Sequence, residues 1–231
     1  VVYTQNHDQV ANGSGGDRLS AQVGPEAHKV ASALLFCAPN LPMLFQGQEY
    51  GERAPFLYFT SHGDAALVEA VRRGRHEEFL SFGWEREFPD PQAESTFAAC
   101  KLDWSLCTAP GHAALLSFHR DLIALRRRHA CLRNCRKDLT RAWAGEEAPW
   151  LIIERGEPGG EHALALFNLG PEPRQLQLPR GLEGLWRGVL YSASRAYGGS
   201  ADGELPELGE GRARELQLPG HSAAIYLGGT A

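Results

Sequence analysis

The sequence predicts an α/β unit followed by an all-β domain, a small antiparallel β-sandwich. Three observations carry this. Residues 1–50 run in the order strand, polar loop, helix, strand, polar loop. Helical periodicity disappears after about residue 138. Beyond that point come short β-rich runs separated by Gly and Pro turns. The expected units are therefore 1–137 and 138–231.

Each element has its own reason. Val1-Val2-Tyr3-Thr4 is a short apolar run that reads as a buried strand. The polar cluster Gln5-Asn6-His7-Asp8-Gln9 follows, then the Gly-rich stretch Asn12-Gly13-Ser14-Gly15-Gly16. A helix begins at Gly24-Pro25, with Pro suited to a first turn. Its stripe is Ala27, Val30, Ala31, Leu34, Leu35 and Ala38, and Pro39 stops it. Leu41-Pro42-Met43-Leu44-Phe45 reads as a second, fully buried strand, ending in the polar cluster Gln46-Gly47-Gln48-Glu49. Two buried strands joined by a helix form a parallel crossover. Both polar clusters then lie just past the C-terminal strand ends, the edge where α/β folds build their sites.

Residues 64–79 read as an amphipathic helix with Leu67, Val68 and Val71 inward and Arg72, Arg73 and Arg75 outward. Residues 84–111, with Trp84, Pro89, Pro91, Trp104 and Pro110, read as loop. Residues 112–129 form the clearest helix, with Leu115, Phe118, Leu122 and Leu125 on one face. Its terminal Arg126-Arg127-Arg128 reads as a solvated end favourable to the helix dipole. The β runs are 140–144, 150–154, 163–168, 175–178, 185–191, 215–218 and 223–227. Pro158-Gly159-Gly160, Gly170-Pro171 and Pro219-Gly220 supply turns between them.

Composition excludes whole classes. With 43% hydrophobic, 22% charged and 9% aromatic residues, the chain is globular rather than disordered or collagen-like. The net charge of −5 is too mild to call for a polyanion, so no nucleic-acid partner is expected. No apolar run reaches the ~18–20 residues of a membrane span, so no membrane partner is expected either. Cys37, Cys100, Cys107, Cys131 and Cys135 are odd in number and contain no CxxC pair, which fits a reducing, cytoplasmic setting. The Cys131/Cys135 spacing could place two thiols on one helical face, but it matches no usual zinc arrangement, and no metal is expected. A length of 231 residues exceeds one small domain and falls short of two large ones. Together with an opening inside a strand, it reads as the tail of a longer protein.

The densest candidate chemistry is Gln5–Gln9. A carboxylate can stabilise an oxocarbenium-like transition state, while imidazole and amide groups hold sugar hydroxyls. The same residues equally suit a turn- or helix-capping cluster. A Ser14/His7/Asp8 hydrolase is a rival, but no G-x-S-x-G elbow exists. Gly13–Gly16 lacks the Lys-Ser/Thr of a P-loop. Glu49 and Glu52 form either a second carboxylate pair or a structural cap.

Gln5-Asn6-His7-Asp8-Gln9, continuing to Gly16-Asp17-Arg18-Leu19, resembles the fourth signature region of the α-amylase superfamily, and most closely that of the maltooligosyltrehalose trehalohydrolases. Phe45-Gln46-Gly47-Gln48-Glu49-Tyr50-Gly51-Glu52 resembles that family's last barrel strand and following loop. Pro89-Asp90-Pro91-Gln92, Lys101-Leu102-Asp103-Trp104-Ser105 and the helix ending Arg126-Arg127-Arg128-His129 are similar to further segments of it. Gly13, Gln48 and Ser61 depart from the pattern, standing where Arg, Glu and Asp are expected.

The resemblance implies that residues 1–137 are the C-terminal part of a (β/α)8 catalytic barrel and 138–231 a C-terminal β-sandwich. By position, Asp8 matches the third invariant carboxylate, which stabilises the transition state. His7 matches the histidine binding the sugar beside the cleaved bond, and Asn6 and Gln5 flank the site. The nucleophile and general acid match no segment here, so this chain is expected to lack a complete site. The implied activity is hydrolysis of the α-1,4 bond next to the trehalose end of maltooligosyl trehalose, with no cofactor. A branching enzyme or an amylase is the nearest alternative. A non-catalytic carbohydrate-binding module is the alternative of another class.

Overall fold

The computed structural model describes residues 1–13, 15–81, 89–145, 148–157, 159–182, 184–202 and 204–228. Helices occupy the first part: α1 (His7–Ala11), α2 (Leu19–Gln22), α3 (Pro25–Cys37), α4 (Ala65–Ser81), α5 (Glu94–Ala99), α6 (Pro110–Arg128) and α7 (Ala130–Arg133). Strands occupy the second: β1 (Thr140–Ala144), β2 (Trp150–Arg155), β3 (His162–Asn168), β4 (Arg174–Gln177), β5 (Leu185–Tyr191), β6 (Leu208–Gly209), β7 (Glu215–Leu218) and β8 (Ser222–Gly228). All the strand pairings among them are antiparallel.

The strands form a six-stranded sheet in the order β1-β2-β3-β8-β5-β6 and a two-stranded sheet β4-β7. Period-2 alternation sorts side chains between two cores. Ile153, Ala165, Phe167, Ala223 and Ile225 face one way, onto Val30, Ala33 and Phe36 of α3 and Phe118 and Leu122 of α6. Ile152, Leu164, Leu166, Ala224 and Tyr226 face the other way, onto Leu176 of β4 and Leu216 and Leu218 of β7. The central strands β3 and β8 are thus covered on both faces, which is why they read as nearly continuous apolar runs.

The helix α3 starts with Pro25 in its first turn and ends at Cys37, with extended Ala38 before Pro39. Its burial is wider than the expected stripe and includes His28, Lys29 and Ser32. Lys29 is only 1% exposed, and its ammonium donates to the Ser192 and Tyr197 carbonyls at 2.8 and 3.0 Å. That contact ties α3 to the turn after β5.

Five expectations need correction. The two "buried strands" at 1–4 and 41–45 meet through one parallel bridge, Val2–Pro42. Pro42 has no N–H to extend the ladder. Tyr3, Leu41 and Met43 stay exposed because no layer of the described residues covers them. In α4, Leu67 is exposed rather than inward. Arg72 instead turns to Asp90 and Glu69 (both 2.5 Å), so charge rather than an apolar stripe attaches this helix. Residues expected as loop contain α5 and a 3-10 turn at Trp104–Thr108, capped by Asp103. Such short helices carry too few periodic positions to be read. The expectation at Trp84 lies outside the described residues. Cys131 is buried in α7 while the exposed Cys135 lies past its end, so the two thiols share no helical face. Finally, Arg126 is buried, not solvated; its carbonyl partners, Phe36 at the end of α3 and Ala38 and Asn40 just after it, are far away in sequence.

Candidate active site

The parallel bridge brings the two polar clusters together. Val2 N–H donates to Leu41 O, and Met43 N–H donates to Val2 O, both at 2.9 Å. Just beyond, the Gln48 amide donates to Thr4 Oγ1 at 2.7 Å and accepts from Phe45 N–H. Gln48, 1% exposed, therefore stitches one strand end to the other.

The first cluster divides into supports and exposed groups. Gln5 is buried, and its Oε1 accepts from Leu19 N–H at 2.9 Å. Asn6 is the N-cap of α1, its Oδ1 accepting from Gln9 N–H at 2.9 Å. The capping alternative thus describes Asn6. Among the described residues, the side chains of His7 and Asp8 make no such structural contacts. Their side chains are 68% and 72% exposed, with Nε2 and Oδ1 3.3 Å apart. A carboxylate and an imidazole stand side by side on a backbone fixed from below. Ser14 of the rival triad lies outside the described residues.

Arg75 of α4 holds the other end of α1. Its guanidinium donates to Asn12 Oδ1 at 2.9 Å and lies 4.5 Å above the Tyr58 ring. Sequence reasoning placed this residue in solvent. A cavity of about 430 Å³ opens beside it, lined by Ala11, Gly13, Gly16, Tyr58 and His76 among others. Neither His7 nor Asp8 lines that cavity; they stand on open surface.

The second cluster is a structural knot around Glu52. The carboxylate is 1% exposed and accepts from Arg53 N–H, Ala54 N–H, Asp103 N–H and Tyr50 O–H at 2.7–2.9 Å. Burial alone would raise its pKa. The hydrogen bonds outweigh that and hold it below the usual carboxylate range. Arg18 sits alongside, 2% exposed, donating to the Ala54 and Gln46 carbonyls at 2.6 Å, with its guanidinium 5.1 Å from the Phe45 ring centre. Gly47 lies at φ +80°, and a Cβ there would come 2.6 Å from Glu52 Cβ. Of the two readings of Glu49 and Glu52, the structural cap is the one Glu52 fulfils. Asp103 belongs to the Lys101–Ser105 segment, so Glu52 fastens that segment against the cluster.

Among the described residues no group of three or more His, Cys, Asp or Glu side chains could hold a metal ion. No helix among them is long and apolar enough to cross a membrane.

No family model matches the chain. The malto-oligosyltrehalose trehalohydrolase of Arthrobacter ramosus is 51% identical over 128 residues, 55% of this chain and 22% of that protein. Its counterpart from Deinococcus radiodurans is 39% identical over 185 residues, 78% of this chain and 30% of its own length. A 1,4-α-glucan branching enzyme of Novosphingobium aromaticivorans is 26% identical over 225 residues, 90% of this chain and 24% of its own. The chain spans less than a third of the length of these relatives. Among solved structures, a Salmonella typhimurium protein assigned by name to the α-amylases superposes with a TM-score of 0.75 at 30% identity. The match covers 98% of this chain and 34% of that one. A trehalulose synthase shares the fold at a TM-score of 0.60 and 16% identity, over 98% of this chain and 43% of its own. The fold is therefore that of the C-terminal region of α-amylase family enzymes, part of a (β/α)8 barrel followed by an antiparallel β domain.

Proposed function

From the premise that this chain is related by sequence to the C-terminal part of the malto-oligosyltrehalose trehalohydrolases, within the α-amylase superfamily, we propose that it is that part of such an enzyme. The whole protein hydrolyses the α-1,4-glucosidic bond next to the trehalose end of maltooligosyl trehalose and releases trehalose, in the cytoplasm, as a step of trehalose biosynthesis. The observation that carries this reading is the exposed His7–Asp8 pair, 3.3 Å apart, at the end of a parallel-paired segment.

In this reading Asp8 faces the sugar ring and stabilises the positive charge that develops as the glycosidic bond breaks. His7 holds a hydroxyl of the same sugar. Gln5 and Asn6 do not touch substrate. They fix the backbone from which the pair projects. Retaining hydrolysis needs a nucleophile and a general acid besides. Glu52 is excluded from both roles by its four donors. Those two carboxyls come from sequence outside this chain, and the 231 residues alone do not turn substrate over. Unit 1–137 supplies barrel, and 138–231 the β domain.

In the complete protein, Asp8→Asn should abolish trehalose release while leaving the circular dichroism unchanged. Near-normal kcat would remove Asp8 from this role. Product analysis tests the activity itself: trehalose supports it, whereas branched glucan or maltose alone points to a branching enzyme or an amylase.

A further inference from the structure

A groove of about 450 Å³ runs between β1–β2 and β4, lined by Trp143, Trp150, Gln175, Gln177 and Arg180 over a floor that includes Ile152. Register explains how it forms. Trp143 stands opposite Ile152, and Trp150 lies two residues before Ile152 on β2, so the three share one sheet face. That face is the one covered by the β4–β7 layer. Both indoles pack only partly against that core and remain half-buried at its margin.

The opposite wall is polar. Gln175 and Gln177 alternate with buried Leu176 and Leu178, and both amides are exposed. Among the described residues neither makes a side-chain hydrogen bond, so donors and acceptors on both face the groove's solvent. Arg180 adds a guanidinium. Arg141, whose guanidinium lies 5.4 Å from the Trp143 ring centre, is itself neutralised by Glu154. Among the described residues the groove therefore offers two flat apolar surfaces, two neutral amides and one uncompensated charge, Arg180. Such a combination suits a ligand with apolar ring faces and a rim of hydroxyls better than an anion, which needs more charge, or a greasy peptide, which needs no amides.

We infer that this groove is a second, non-catalytic site that binds an α-glucan chain. Its indoles stack on glucose rings and its amides and Arg180 bond their hydroxyls. The choice of α-glucan among hexose polymers rests on the proposed function. No residue of α1 or of the Glu52 knot lines the groove, so it can be emptied without touching His7 or Asp8.

The test is calorimetric titration of the full 231-residue chain with maltoheptaose, with cellohexaose as the β-linked control. Wild type should bind maltoheptaose with millimolar affinity, and Trp143→Ala should weaken it about ten-fold. Because Trp143 also packs on the core, Gln175→Ala/Gln177→Ala serves as a second variant that removes only exposed groups, and it should weaken binding as well. Asp8→Asn should leave this affinity unchanged. The inference is overturned by wild-type affinity in both groove variants, by no binding to wild type, by equal binding of cellohexaose, or by loss confined to Asp8→Asn. Groove-dependent binding together with no trehalose release by the complete protein would instead sink the proposed activity alone.

Discussion

Arg126 of α6 and Arg155 of β2 converge on the C-terminal turn of α3. Arg126 donates to the carbonyls of Phe36, Ala38 and Asn40 at 2.5, 3.0 and 2.6 Å. Arg155 donates to Cys37 O at 2.9 Å and to Asn134 O at 2.6 Å. Two buried guanidiniums thus satisfy the last carbonyls of one helix and place positive charge at the negative end of its dipole. They also join that helix to the sheet.

Removing either cap should be costly. Arg126→Ala strands three carbonyls and should lower the unfolding free energy by about 3 kcal/mol in a urea titration. Arg155→Ala should cost a similar amount. The two guanidiniums also repel each other, Arg126 being among the causes that lower the Arg155 pKa after burial itself. Each single change relieves that repulsion once, so the double variant should lose more than the sum of the two single losses. Strict additivity would show that the two caps act independently.

Glu52 makes a prediction about acid. Its folded pKa lies below the unfolded value because its hydrogen bonds outweigh burial. The stability it contributes is full above the usual carboxylate range and is lost as pH falls through the folded pKa. Glu52→Gln keeps the shape but turns donors toward donors, and should lower Tm at pH 7 by several degrees. Wild type and variant should converge as the pH falls through the folded pKa. A Tm gap that stays constant with pH would show that charge on Glu52 contributes nothing.

His28 of α3 and His119 of α6 meet edge-on in the core with ring centroids 6.0 Å apart, each 1% exposed. His119 Nδ1 bonds Leu115 O at 3.0 Å. Burial, reinforced by His119, pushes the His28 pKa down to about 4. The unfolded chain therefore binds this proton first, and stability should fall as pH drops from about 6.5 to 4. The loss from His28 amounts to about 3 kcal/mol. His28→Phe removes the titration, so urea midpoints measured across that range should flatten. An unchanged slope would place the acid sensitivity elsewhere.

The strands of the β domain were legible because β3 and β8 are long, apolar and bounded by turns. The helix α6 was legible because Leu115, Phe118 and Leu122 repeat at its pitch. Arg126 was misread because neighbouring positions 127 and 128 are indeed exposed, and only distant carbonyls at and just after the end of α3 single it out. The cluster at Gln5–Gln9 was visible as polar density, but spacing alone could not separate the buried support Gln5 and the cap Asn6 from the exposed His7 and Asp8. That division depends on Leu19 N–H and on a helix of five residues, too short for any periodic signal. Arg75 and the Trp143–Trp150 groove left no local signature either, since both arise where separate elements meet.

The division within the first cluster makes the last prediction. If Asn6 and Gln5 only position the backbone while His7 touches sugar, the three should fail differently in the complete protein. His7→Ala removes a hydroxyl contact made in both ground and transition states, so KM should rise about ten-fold with a smaller fall in kcat. Asn6→Ala removes the N-cap, about 1 kcal/mol, and frees the turn that carries Asp8. Its effect should fall on kcat, because misplacing a transition-state group by even ~1 Å costs rate rather than substrate affinity. Asn6→Ser restores a capping oxygen and should recover most of that kcat. Steady-state kinetics of the three variants decide the matter. Failure of Asn6→Ser to rescue, with Asn6→Ala affecting KM alone, would mean that Asn6 contacts substrate directly and that the cap is incidental.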